Sequence, residues 1–173
     1  MQAPLIETER LRLRSYRSND FSGSAALWSD PLVIRHTTRK ALTPEESWGK
    51  TLRNAGLWPV VGYGYWAVDE KGGSEFIGEV GFGDFHRDLQ PSIAGLPELG
   101  YVFRSHAHGK GYATEAVRAA IAWLDRNVAP KRSVCVIHEQ NRASIHVAEK
   151  CGYREFDRSQ YKGDPVILLE RQV

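Results

Sequence analysis

The residue types with the most chemical potential crowd into Arg104 to Ala116, R-S-H-A-H-G-K-G-Y-A-T-E-A. Just before them, Leu99-Gly100-Tyr101-Val102-Phe103 has the β-branched and aromatic content of a buried strand. Just after, Ala113, Ala116, Val117, Ala120, Ile121 and Leu124 recur at helical spacing and form one apolar stripe. Gly109 and Gly111 therefore belong to a tight strand-to-helix turn. A glycine pair there bares backbone N–H groups at the positive end of a helix, a cradle suited to phosphate or pyrophosphate. The spacing is not that of a P-loop, because Gly109-Lys110 is followed by Gly111 and no glycine lies five residues before Gly109. Nor is it a dinucleotide turn, which needs a small third residue where Thr114 stands and a βαβ unit opening the domain. Taken alone, the pair fits equally a turn that holds no ligand.

The elements that must position this turn follow from periodicity. Leu11 and Leu13 alternate with Arg12, Arg14 and Tyr16, a half-exposed strand over about residues 8 to 16. Asn19-Asp20 can cap a helix through Phe21, Ala25, Leu27 and Trp28 that stops before Pro31. Thr43-Pro44-Glu45-Glu46 reads as a capping box with proline in the first turn, opening a helix that carries Trp48 and Leu52 and ends near Gly56. Residues 56 to 64 read as an apolar, glycine-rich link whose aromatics either wall a pocket or plug the core. Its Gly62-x-Gly64-x-x-Ala67 is no dinucleotide fingerprint, because a strand pattern follows it.

Residues 65–69 and 75–85 predict a hairpin turning at Lys71-Gly72-Gly73. A loop over 86–97, strand 98–103, helix 111–127 and a buried strand over 131–138 follow. Asn141 opens a second helix with Ala143, Ile145, Val147 and Ala148 on its apolar face and Gly152 just past its end. Residues 153–158 and 165–170 supply two last strands. Strands outnumber helices, and only the middle is β-α-β. This predicts an α/β (α+β) fold with one mixed, mostly antiparallel sheet and helices on both faces.

Bulk properties narrow the function. The 173 residues fit one domain, with ordinary hydrophobic (42%) and charged (25%) fractions. A net charge of +2 is too small to argue for a nucleic-acid partner. No apolar run approaches the roughly 20 residues that span a bilayer, so no membrane partner is expected. The first residues lack the basic and apolar regions of a signal peptide, and Cys135 and Cys151 read as free thiols, so a cytoplasmic setting is expected. No His, Cys or Asp spacing matches a metal site, and none is expected.

Four stretches occur together and in order: T-E-R-L-R-L-R (8–14), F-I-G-E-V-G-F (76–82), E-L-G-Y-V-F with H-G-K-G-Y-A-T-E-A (98–116), and N-R-A-S with E-K-C-G-Y (141–153). On these the chain resembles the GNAT superfamily of acyl-CoA-dependent N-acyltransferases. The likeness is greater to the RimJ/RimL-like branch, which acetylates ribosomal-protein N-termini. It spans nearly the whole chain. The family's phosphate motif is written Q/R-x-x-G-x-G/A; here His106 takes the first position and Gly109 and Gly111 match. The residue before the first glycine, often Trp in that branch, is His108.

The resemblance implies a GNAT fold of six to seven strands and about four helices, with strands 98–103 and 134–138 splayed apart. It implies acetyl-CoA as cosubstrate. The pyrophosphate would meet the N–H groups of His108, Gly109, Lys110, Gly111, Tyr112, Ala113 and Thr114. The pantetheine arm would pair with the exposed backbone of Tyr101, Val102 and Phe103, like an added strand. Asn141 would bond the arm near its thiol end, alongside a plain role as helix cap. A backbone N–H near Val102 or Phe103 would stabilise the oxyanion. Many members place an acidic tyrosine seven residues after the Asn; here Ala148 stands there, and the branch with Ala carries the serine represented by Ser144 as hydrogen-bond donor to the sulfur. Glu98 is the expected base, with Glu79 its rival, either one able to act through water. The implied acceptor is a primary amine, such as a protein N-terminus. Alternatives are small-molecule or antibiotic N-acetylation, or a non-catalytic CoA-binding module. The protein would be a monomer or a homodimer.

Overall fold

In the computed structural model, which describes residues 2–172, the alternating segments pair into one sheet. Its strands are β1 (Ile6–Glu7), β2 (Leu11–Arg14), β3 (Tyr65–Glu70), β4 (Phe76–Gly83), β5 (Glu98–Phe103), β6 (Arg132–His138), β7 (Arg154–Tyr161) and β8 (Asp164–Gln172). Their order across the sheet is β1-β2-β3-β4-β5-β6-β8-β7. Every neighbouring pair is antiparallel except β5 and β6. The sheet has one more strand than expected because Ile6–Glu7 folds back on Arg12 and Leu13.

Five α-helices accompany the sheet: α1 (Phe21–Leu27), α2 (Pro31–Ile34), α3 (Pro44–Val61), α4 (Tyr112–Asn127) and α5 (Arg142–Lys150). The stripe Ala116, Val117, Ala120, Ile121 and Leu124 on α4 is buried against Val68, Val80 and Leu99 on one face. Leu27, Trp28 and Val33 cover Ala67 and Phe76 on the other. Among the described residues no helix is long and apolar enough to cross a membrane.

Three expectations change. First, α3 does not stop near Gly56 but runs through Pro59 to Gly62, whose left-handed φ of 83° ends it and whose N–H donates to the Trp58 carbonyl (3.2 Å). The expected link is thus mostly helix, and its aromatics Trp58 and Tyr63 belong to the core. Second, the buried side of α3 is Ser47, Thr51, Asn54, Leu57 and Trp58, while Trp48 and Leu52 face solvent. Two of these polar residues find partners there, Thr51 donating to Ser24 (3.3 Å) and Asn54 donating to Tyr16 (3.2 Å), while the buried Ser47 hydroxyl has none among the described residues. Third, the Asp20 carboxylate accepts from Arg14 and the Arg17 N–H rather than capping α1.

The Thr43/Glu46 capping box forms as expected, with bonds of 3.2 and 2.8 Å. Gly152, at φ 91°, follows the end of α5.

The feature that matters for function is where the sheet opens. β6 pairs with β8 along its whole length. It pairs with β5 only at Glu98–Val134 and Leu99–Cys135. Beyond Leu99 the two parallel strands diverge, which is the splay expected for strands 98–103 and 134–138.

Candidate active site

The glycine turn is built as its spacing demands. Gly109 and Gly111 have φ of 74° and 80°, a region closed to most L-residues. Gly111 is the N-cap of α4, so Tyr112, Ala113 and Thr114 are its first three residues, whose N–H groups have no carbonyl one turn back within the helix. The N–H of His108 is different: it donates to the Ser105 carbonyl (3.0 Å). The cradle is therefore residues 109–114, and His108 contributes its ring, whose Nε2 lies 2.8 Å from the Phe103 carbonyl.

Arg10 buttresses the turn from the other end of the chain. Its Nη1 donates to the Lys110 carbonyl (2.8 Å), its Nε donates to Glu115 (2.7 Å), and its guanidinium lies over the Tyr112 ring. Nothing in the spacing of residues 8–14 pairs them with a turn a hundred positions away.

Strand alternation decides which backbone groups face the gap. The Arg104 N–H donates to Ile77 and the Val134 N–H donates to Pro97. In an antiparallel ladder the bonded pairs alternate, so Glu98, Gly100 and Val102 bond toward β4, while the backbones of Tyr101 and Phe103 point toward the gap. Val102, expected to pair with an incoming arm, instead pairs with Glu79 across the ladder. The Tyr101 hydroxyl reaches α5 and donates to the Ser144 carbonyl (2.6 Å), and burial pushes its pKa well above the ordinary range.

A cavity of about 840 Å³ fills the space between the diverging strands and continues under α3. Glu79, Glu98, Tyr101, Val102, Asn141 and Ser144 all line it, so the structure brings these expected residues together. Residues 108–114 lie outside its lining, beyond the end of β5. Asn141 caps α5, accepting from the Ser144 N–H (3.3 Å). The Ser144 hydroxyl has no hydrogen-bond partner among the described residues.

The two glutamates have different surroundings. Both are almost wholly buried. Glu98 is gripped by Arg87 through two bonds of 2.6 Å. Glu79 accepts one bond, from the Tyr16 hydroxyl (2.9 Å), which in turn accepts from Asn54. Burial, then the charge of Glu79, raises the Tyr16 pKa well above the ordinary phenol, so Tyr16 stays a proton donor.

Sequence reading missed the part of the wall that α3 supplies. Lys50 and Arg53 project from α3 into the cavity, and Phe85 and Arg87 come from the loop after β4. Burial pushes the Lys50 ammonium down from 10.5 to about 8, against the pull of Glu79. On the helix, Glu46, Lys50 and Arg53 look like an ordinary solvated face; Glu46 and Arg53 do stay exposed and Lys50 is half-buried, but the tertiary fold places all three along the cavity. Cys135 and Cys151 are free, buried thiols with pKa values raised by burial, in keeping with structural roles.

Residues 10–154 match the acetyltransferase (GNAT) domain family. YkkB, an uncharacterised protein of Bacillus subtilis (strain 168), is 30% identical, covering 96% of this chain and 95% of its own. A Bordetella pertussis structure assigned to the GnaT acetyltransferase family superimposes with a TM-score of 0.86 at 27% identity, covering 98% of this chain and 99% of its own. RimL, a ribosomal L7/L12 α-N-protein acetyltransferase solved with coenzyme A, gives a TM-score of 0.78 over 98% of both chains. Its 17% identity makes it evidence for the fold alone. A glycine cradle at a helix start, a sheet that opens beside it, and a family match over most of the length agree: this chain is an acetyltransferase and belongs to the GNAT family.

Proposed function

We propose that the enzyme acetylates a primary amine from acetyl-CoA, with Glu79 as the group that receives the amine's proton. The residues present suit the cofactor: the N–H groups of 109–114 suit a pyrophosphate, and the gap edge of β5 at Tyr101 and Phe103 suits the amides of the arm. Acetyl-CoA supplies the activated acetyl thioester.

Every other step belongs to the chain's own groups. The Tyr101 or Phe103 N–H at the gap edge is the oxyanion donor. The Asn141 amide orients the arm. The free Ser144 hydroxyl donates to the leaving sulfur, in place of the tyrosine that Ala148 replaces. Glu79 takes the proton, directly or through water, and Tyr16 holds it in place. Glu98, gripped by Arg87, orients that side chain and keeps a salt-bridged carboxylate beside the site.

The observation that carries this reading is the single-bonded, buried Glu79 lining a cavity that begins where the sheet splits. The acceptor class we favour is an α-amine, as at a protein N-terminus, which is what the resemblance of the 98–116 and 141–153 motifs to the RimJ/RimL-like branch implies.

Thiol release with acetyl-CoA and short peptides tests it. Glu79→Gln should lower kcat by about 10²- to 10³-fold and leave acetyl-CoA affinity unchanged by calorimetry. A Glu79→Gln enzyme with full kcat, or one matched by Glu98→Gln in size and kind of defect, refutes the assignment.

A further inference from the structure

The cavity's charges do not balance. Six cationic side chains line it against four anionic ones. Two pairs cancel: Arg87 with Glu98 (2.6 Å) and Arg39 with Asp164 (2.5 Å). Glu46 is tied to the backbone N–H of Thr43 in the capping box. That leaves Glu79 as the one uncancelled inner carboxylate. Lys50 and Arg53 stand on the same wall, one turn apart, with no carboxylate within ion-pair distance among the described residues.

Both cations are held against aromatic faces rather than against acids. Lys50 Nζ lies 4.0 Å from the centre of the Trp28 ring, and the Arg53 guanidinium lies 4.8 Å from that of Phe85. Trp28 and Phe85 line the same cavity. An ammonium brought this far out of water is costly unless something of opposite charge meets it. Its depressed pKa is the trace of that cost.

We propose that the acceptor carries a carboxylate close to its amine, and that Lys50 and Arg53 receive it while the amine meets Glu79. This rests on the acetyl-transfer reading above and narrows its acceptor. The amine and the carboxylate then occupy opposite ends of one charge pattern, Glu79 at one and the α3 cations at the other. Cationic acceptors such as polyamines or aminoglycosides would place a second positive charge against Lys50 and Arg53, and are disfavoured. The carboxylate can be that of a free amino acid or of an acidic residue near a peptide's N-terminus. The two share the chemistry and differ in the rest of the molecule.

Matched acceptors test the idea. We would compare aspartate with asparagine, Ser-Asp with Ser-Asn and Ser-Lys peptides ending in amides, and spermidine. The expected result is a kcat/KM at least tenfold higher for each carboxylate than for its amide, with spermidine lowest. Which carboxylate series turns over identifies the source. In Lys50→Met and Arg53→Met the tenfold ratio should fall toward one through acceptor KM, with the KM for acetyl-CoA unmoved.

Calorimetry on the coenzyme A-loaded enzyme gives a second readout that needs no turnover: the acidic acceptor should bind at least tenfold tighter than its amide. Turnover without that preference, or a preference that survives both substitutions, overturns the clamp. Preferential binding without turnover supports the clamp and refutes acetyl transfer to these amines.

Discussion

A half-buried lysine that no acid neutralises carries a cost, and Lys50 shows it. Burial pushes the ammonium down from 10.5 to about 8, with Glu79 and Glu98 pulling its pKa back up and Arg53 and Arg87 adding to the fall. Between those two values the unfolded chain binds more protons than the folded one, so stability rises with pH across that window, and the full penalty applies below about 8. Lys50→Met should therefore stabilise the protein at pH 7, by on the order of 3 kcal/mol at most, and its advantage should shrink as pH climbs from 8 to 10.5. Urea unfolding of both proteins at several pH values measures this. A variant that folds better yet loses its acidic acceptor separates a functional lysine from a structural one. At this scale the sequence exposed Glu79, Glu98, Asn141 and Ser144, because family motifs carry them. It hid Lys50 and Arg53, because a charged residue's sequence neighbours do not say whether its helix face meets water or a cavity.

The glycine turn is legible at the scale of an element, since two glycines between a strand and a helix admit few backbone paths. Gly109→Ala and Gly111→Ala each force a side chain onto a left-handed backbone. Each should cost about 1–2 kcal/mol of stability and raise the KM for acetyl-CoA at least tenfold. Gly95→Ala is the control: its φ of 81° lies in the loop before β5, at the opposite end of that strand from the cradle, so it should lose comparable stability and keep the KM. Thermal unfolding with initial-rate kinetics distinguishes the two. Helix α4 was equally legible, its stripe being a strict 3.6-residue repeat. Helix α3 was not. Its buried side is Ser47, Thr51 and Asn54, and a hydrophobic pattern points the opposite way, to Trp48 and Leu52. Thr51 and Asn54 turned inward because partners on α1 and Tyr16 were waiting, which no local pattern records.

Across the whole molecule, Arg14 ties segments that the sequence keeps far apart. All five of its N–H donors are used, on Asp20, Asp69 and the Ser15 carbonyl, at 2.6–3.0 Å. This joins β2 to β3 and to the entry of α1, beside the strands that carry Glu79. Arg14→Met would leave two buried carboxylates unpaired and should cost about 3–5 kcal/mol. Arg14→Lys should recover only part, since an ammonium cannot reproduce the fork. The midpoint of urea unfolding checks both, and adding Asp20→Asn and Asp69→Asn to Arg14→Met should restore stability if uncompensated charge is the cause.

By itself the sequence determined the mixed sheet and the glycine turn between strand 98–103 and the helix after it, because side-chain periodicity and glycine backbones act over a few residues; the opening between strands 98–103 and 134–138 came from the family resemblance, and the His108–Ser105 bond trims the expected cradle from 108–114 to 109–114. Only the tertiary structure decided which glutamate is free and which is gripped, that the backbone of Val102 bonds that of Glu79 while those of Tyr101 and Phe103 face the gap, and that α3 lends two cations to the cavity. Those outcomes depend on charges and hydrogen-bond partners converging from α3, β4, β5 and the loop after β4, and the pairing of distant charges is settled by distance in space, which sequence spacing does not encode.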